Sequence, residues 1–201
     1  MKDVLIMYTD GGCHNEGGDM HGIGSYAFLF PTDLSNEYVT VYTRFVADTT
    51  NNRTEMLAIL DGIDHVDKYY GEPKPIIEIF SDSGYVVKGY TDPSYLDKWV
   101  QYGWKTSTKK PVLNRDLWER FLAIPWNIKF HLNLIRGHKK DRNPIHSFWN
   151  DICDQACTYT MNELASKDGL CELRYYLKEK RIEFVTEVIG YADNDTLMPA
   201  T

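Results

Sequence analysis

Residues 76–86 read Ile76-Ile77-Glu78-Ile79-Phe80-Ser81-Asp82-Ser83-Gly84-Tyr85-Val86. The first half is rich in β-branched and aromatic side chains, which suit a pleated strand. The second half opens on Ser and Asp, residues that cap helices. A strand passing directly into a helix, with an acid at the junction, is the step from which α/β sheets are built. Upstream, residues 4–8, 23–30 and 38–46 are similar apolar runs joined by turn residues, and they predict three antiparallel strands. Met56, Ile59, Leu60 and Ile63 follow at i, i+3, i+4 and i+7, the spacing of one helix face. Downstream the pattern predicts short helices over 95–121 and a fifth strand over 128–134. A long helix from about Phe148 carries Trp149, Ile152, Cys153, Ala156 and Cys157 on one stripe. The expected architecture is α/β, a five-stranded mixed sheet with helices on both faces. Past Lys167, residues 170–181 read as a helix and 182–191 as a strand, so 1–167 is expected to form the domain and 168–201 an extension packed on it or appended to it.

The rest of the composition agrees with a folded, water-exposed chain. Of 201 residues, 43% are apolar and 25% charged, too much apolar content for intrinsic disorder. No stretch reaches the roughly 18 apolar residues of a membrane span, and the start lacks the layout of a signal peptide. Cys13, Cys153, Cys157 and Cys171 form neither a Cys-x-x-Cys pair nor a disulfide rhythm, which predicts free thiols in a reducing, cytoplasmic setting. The net charge of −7 argues against a nucleic-acid partner, but its distribution does not. Between Tyr95 and Phe121 six cations (Lys98, Lys105, Lys109, Lys110, Arg115, Arg120) oppose three anions (Asp97, Asp116, Glu119), a local +3 that leaves −10 for the remainder. Trp99, Tyr102, Trp104 and Trp118 are interleaved with them, the mixture of cations and stacking faces that suits a nucleic-acid surface.

Four carboxylates stand at positions where each also has a local explanation. Asp10 precedes Gly11-Gly12, where a hairpin turn would place an acid. Glu55 follows Asn52 by three residues, as in a capping box. Asp82 suits the N-cap of the next helix, and Asp154 suits an exposed helix face. If the fold gathers them, each pair ~4 Å apart repels by about 4 kcal/mol at an effective dielectric near 20. Protonation or bound cations must offset that, and an all-oxygen set suits Mg²⁺ or Mn²⁺.

Together these residues resemble the type 1 ribonucleases H over roughly residues 4–165. Tyr8-Thr9-Asp10-Gly11 is similar to the first-strand signature, and Thr50-Asn51-Asn52-Arg53 through Glu55 to the second. Asp82-Ser83 with Tyr85-Val86 is similar to the third. Gly103-Trp104-Lys105-Thr106, Lys109-Lys110-Pro111-Val112, Asn114 and Asp116-Leu117-Trp118 resemble the basic protrusion of bacterial members. Gly137-His138 and Asn150-Asp151-Ile152-Cys153-Asp154 resemble the histidine loop and the last acid.

The resemblance implies a ribonuclease H-like fold and endonucleolytic hydrolysis of the RNA strand of RNA/DNA hybrids, leaving 5′-phosphate and 3′-hydroxyl ends. It implies that Asp10, Glu55, Asp82 and Asp154 hold two Mg²⁺ ions about 3.5–4 Å apart, with Mn²⁺ as a substitute. Asp151 is the alternative fourth acid. His138 would aid water deprotonation or product release, with His146 as its alternative. Asn15, Asn51 and Asn52 would read the minor groove and Thr50 a DNA phosphate. Trp99 and Trp104 would flank the DNA strand, with Lys105, Lys109 and Lys110 on phosphates. A monomer is expected, with residues 168–201 available to a protein partner. Competing expectations are a nuclease of the same fold acting on other nucleic-acid structures, and a non-catalytic binding or docking module.

Overall fold

The computed structural model describes residues 3–14, 22–32, 35–137 and 142–177, and the backbone of 183–185. Along the chain the elements are β1 (Val4–His14), β2 (Gly22–Leu29), β3 (Tyr38–Thr49), α1 (Asn51–Tyr69), β4 (Ile76–Ser81), α2 (Gly84–Thr91), α3 (Leu96–Gln101), α4 (Arg115–Leu122), β5 (Lys129–Leu134), α5 (Pro144–Glu163), β6 (Cys171–Tyr176) and β7 (Glu183–Val185). They form one sheet in the order β5-β4-β1-β2-β3-β6-β7. β1, β4 and β5 are parallel, and β1-β2-β3-β6-β7 run antiparallel to their neighbours. The five expected strands are joined by two more from the C-terminal segment.

Alternation along the strands sorts the core into two layers. Met7, Tyr26, Phe28, Ile77, Ile79 and Leu132 pack with α1, α2 and α4 around the fully buried Trp118. Tyr8, Ala27, Leu29, Val39 and Val41 pack beneath α5. Helices therefore cover both faces, as expected.

The segment expected to be helical over 170–181 contains strand β6. Cys171, Leu173 and Tyr175 face the core while Glu172, Arg174 and Tyr176 face outward, a period of two rather than 3.6. β6 pairs with β3 from Tyr38–Tyr176 to Thr43–Cys171. The reason is tertiary: without β6, β3 would be a long edge with a row of unsatisfied backbone groups. The expectation of a strand over 182–191 corresponds to β7, among the described residues, at Glu183–Val185.

α5 begins four residues before the predicted Phe148. Asn143 Oδ1 accepts from the Ile145 amide at 3.0 Å, and Pro144 occupies the first helical turn, where its missing N–H costs nothing. All four cysteines are free. No helix among the described residues is long and apolar enough to cross a membrane.

Candidate active site

The β1–β4 pairing stops at Tyr8–Phe80, and β1 runs on against β2 alone as far as Cys13–Gly24 and His14–Ile23. This opening at the carboxyl ends of parallel strands is where α/β sheets bind ligands. Three local expectations for the acids fail here, each in a way that places an acid in the opening. Asp10 is not in a turn, because β1 continues through it. Gly11 is needed for another reason: a Cβ there would overlap the Glu55 amide nitrogen of α1, so only glycine lets the helix approach. Glu55 does not close a capping box, since Thr50 is the N-cap and its side chain makes no capping bond. Asp82 does not cap α2; the Ser83 hydroxyl accepts from the Val86 amide at 3.4 Å instead.

Asp10, Glu55 and Asp82 each present a carboxylate oxygen, and these atoms all lie within 4.8 Å of one another. Burial, followed by the charges of Asp82 and Asp154, pushes the Asp10 carboxyl well above its ordinary range. Burial, followed by the charges of Asp10 and Asp82, does the same to Glu55. Glu55 Oε2 is buried without a hydrogen-bond partner among the described residues, an arrangement that costs stability unless a ligand satisfies it.

The donor chemistry fits a hard divalent cation. The nearby thiols are directed elsewhere, Cys153 to the Tyr8 carbonyl and Cys157 to the Asp10 carbonyl, each at 3.6 Å. The fold also separates the two candidate fourth acids. Asp154 lies outside the 4.8 Å grouping, but its charge acts on Asp10. Asp151 accepts from Gln155 Nε2 at 2.9 Å, and its charge helps raise the Tyr175 phenol on the β6 side.

His138 and Asn15 lie outside the described residues. His146, the alternative histidine, is packed in place: its Nδ1 is 2.8 Å from the Tyr8 hydroxyl, and its ring stacks on Phe80 at 4.5 Å. That environment suits a packing role rather than a mobile one.

Gly137, just before His138, lies so close to Asp82 that a Cβ would overlap Asp82 Oδ2. Gly137→Ala is therefore expected to displace that carboxylate and weaken divalent-ion binding by about tenfold. Calorimetric titration with Mn²⁺ checks this, with a thermal melt to establish that the variant is folded.

A cleft of ≈ 420 Å³ lies elsewhere, beside β3; the one at the acids is ≈ 740 Å³ and is lined by Asn51, Asn52, Glu55, Asp82, Leu134 and Arg136, among others. Thr50 is the N-cap at its α1 wall. A separate groove of ≈ 770 Å³ is lined by Trp99, Lys105 and Lys109 together with Tyr95, Lys98 and Tyr102. Trp104 and Lys110 are not among its lining residues. Trp104 is half-buried, with the Arg115 guanidinium 5.4 Å from its ring centroid, and Lys110 is exposed. Two ion-pair sets fasten α4 of this basic segment to α1: Arg53 to Asp116 at 2.6 Å, and Arg120 to Asp61 and Asp64 at 2.9 and 2.7 Å. The sequence reading overlooked Leu134 and Arg136 as cleft residues. The signal available for Arg136 was its position directly before Gly137-His138.

A family model for RNase H matches residues 2–161. The chain belongs to the RNase H family. The RNase H match ends before β6, so both C-terminal strands lie beyond it. Ribonuclease H of Clostridium botulinum strain Hall is 32% identical over 165 residues, covering 81% of this chain and 98% of the relative. Ribonuclease H of Treponema pallidum is 29% identical over 178 residues, covering 84% and 96%. Among solved structures, LC9-RNase H1, described as a type 1 RNase H with the type 2 active-site motif, superposes with a TM-score of 0.64 at 18% identity, covering 81% of this chain and 74% of that one. LC11-RNase H1 in complex with an RNA/DNA hybrid gives 0.53 at 15% identity, covering 80% and 98%. These superpositions establish the RNase H fold.

Proposed function

We propose that the chain is an endonuclease that hydrolyses the RNA strand of RNA/DNA hybrids with Mg²⁺, leaving 5′-phosphate and 3′-hydroxyl ends. The observation that carries this reading is the grouping of the Asp10, Glu55 and Asp82 oxygens within 4.8 Å in a family whose relatives are named Ribonuclease H. Asp10, Glu55, Asp82 and Asp154 hold the metal. When bound, divalent ions supply the positive charge that makes water acidic and stabilises a departing oxygen.

The chain's own groups do the rest. The Asn51 and Asn52 amides both donate and accept, so from the cleft wall they address a ribose 2′-hydroxyl and a base edge. Asn15 joins them in the minor groove. Thr50 takes a phosphate of the DNA strand, while Trp99 with Trp104, and Lys105 with Lys109 and Lys110, follow that strand past the acids. His138 moves protons at the attacking water or the product, a task matched to imidazole's near-neutral pKa. A non-catalytic binding module is disfavoured by the acid group itself, since uncompensated carboxylates repel the phosphates such a module must hold.

The test is a panel of end-labelled RNA/DNA, RNA/RNA, DNA/DNA and single-stranded RNA with Mg²⁺, Mn²⁺ or chelator. Cutting confined to the RNA of the hybrid, and lost with chelator, is the expected result. Cutting of DNA, or tight hybrid binding without turnover, overturns the reading.

A further inference from the structure

The acid cleft and the basic groove are built from different parts of the chain, and the Tyr85 hydroxyl joins them. Tyr85 lines the cleft in the first turn of α2. Its hydroxyl donates to the Leu113 carbonyl at 3.3 Å and accepts from Asn114 Nδ2 and from Trp118 Nε1, each at 3.2 Å. Asn114 is the N-cap of α4 in the left-handed conformation, yet its side chain makes no capping bond. Its Oδ1 instead accepts from Arg53 Nη1 at 3.5 Å, and the same guanidinium holds both Asp116 oxygens, at 2.9 and 2.6 Å. Residues 113–116 are thus gripped by one side chain from α2 and one from α1, the latter directly after the cleft residue Asn52.

Those residues carry the groove. The Val112 amide donates to the Trp104 carbonyl at 3.0 Å, and Lys105 forms a β-bridge with Pro111. Lys105 and Lys109, which line the groove, therefore sit on a loop that closes directly before Leu113. Trp99, the groove's stacking face, lies 5.5 Å from Trp118 between ring centroids, and Trp118 lies 5.6 Å from Tyr85. On the nuclease reading above, we propose that Tyr85, together with the Arg53–Asp116 pair, is a positioning residue that sets the spacing between the acid cleft and the Trp99, Lys105 and Lys109 groove, so that one hybrid engages both. A duplex is stiff, and a second contact on it adds affinity only where its distance from the first matches the substrate. A spacing fixed before binding also spares the ordering cost at the moment of binding.

Hybrid affinity is measured by fluorescence anisotropy in chelator, using the full chain carrying Asp10→Asn. Tyr85→Phe and Arg53→Gln are each compared with and without the pair Lys105→Gln and Lys109→Gln, and thermal melts establish that each variant is folded. Tyr85→Phe changes no charge. It is expected to weaken binding about fivefold with the lysines present and less than about twofold without them, the non-additivity of groups that act through one another. Arg53→Gln follows the same pattern, and it decides alone if Tyr85→Phe does not fold. In the otherwise unaltered chain both raise KM, with kcat within about twofold. Equal losses in the two backgrounds overturn the proposal, because they assign these residues to contacts of their own with the substrate. So does an unchanged affinity with the lysines present. If the unaltered chain cuts no hybrid, the nuclease reading has failed; if it cuts hybrid and the losses are additive, only this proposal has.

Discussion

Asp10→Asn is expected to lower metal-dependent cleavage by at least about a thousandfold while making the metal-free protein more stable. Both effects come from the same charge. Without Asp10 the acid group loses the member whose oxygen lies within 4.8 Å of those of Glu55 and Asp82, and cations are no longer gathered there. In the metal-free chain that carboxylate is a liability. Burial and then Asp82 raise its pKa, and burial and then Asp10 raise that of Glu55.

The pH dependence follows from those directions. Between the ordinary carboxylate pKa and the raised values, the folded state retains protons that the unfolded chain has released. The contribution of Asp10 and Glu55 to metal-free stability therefore falls as pH rises through that window and is greatest below it. Asp10→Asn removes one charge and one repulsive partner, and repulsion of about 4 kcal/mol per pair at ~4 Å is the upper scale of the gain. A rise in Tm of roughly 3–8 °C at pH 7.5, shrinking towards pH 4.5, is expected for a domain of this size. Calorimetric melts in chelator at both pH values check it, alongside turnover. No gain at pH 7.5 would mean that the acids are already compensated in the folded protein.

Deleting residues 168–201 is expected to unfold or severely destabilise the chain, although the RNase H match ends at residue 161. β6 contributes Cys171, Leu173 and Tyr175 to the layer beneath α5, each 1% exposed. Full burial of an aliphatic or aromatic side chain is worth about 1.5–3 kcal/mol, so Leu173 and Tyr175 alone contribute roughly 3–6 kcal/mol. That is comparable to the total stability of a domain, about 5–15 kcal/mol. The deletion also bares the β3 edge from Tyr38 to Thr43, now paired with β6. A drop in Tm of at least about 10 °C is expected by differential scanning fluorimetry. Leu173→Ala gives a graded version, at about 2–5 kcal/mol. A truncated chain that melts like the parent would make β6 an accessory. On the expected outcome, β6 belongs to the platform that carries α5, and with it Asp154.

Much of this was legible along the chain because periodicity reports which side of an element is buried. β4, β5 and the buried face of α1 follow directly from the spacing of apolar residues. The four acids could be listed from their motifs, yet the local rules for Asp10, Glu55 and Asp82 all pointed to caps and turns. Those rules describe a residue's own backbone. They are silent about the α1 backbone pressing on Gly11, or about Ser83 taking the cap from Asp82. Residues 171–176 read as a helix along the chain and form a strand in the fold, because an alternating run of six residues resembles a short amphipathic helix until a pairing edge is present.

What the amino-acid order by itself determined was the alternation of strands and helices, the basic aromatic segment inside an acidic chain, and the identities of the acids. Each of these depends on side-chain type and spacing within a few residues. Only the tertiary structure decided that Asp10, Glu55 and Asp82 share one opening, that His146 is packed against Tyr8 and Phe80, that Arg136 lines the cleft, and that β6 and β7 are part of the sheet. Those outcomes turn on distances between segments far apart in the chain, and such distances are set by how whole layers pack rather than by any local preference.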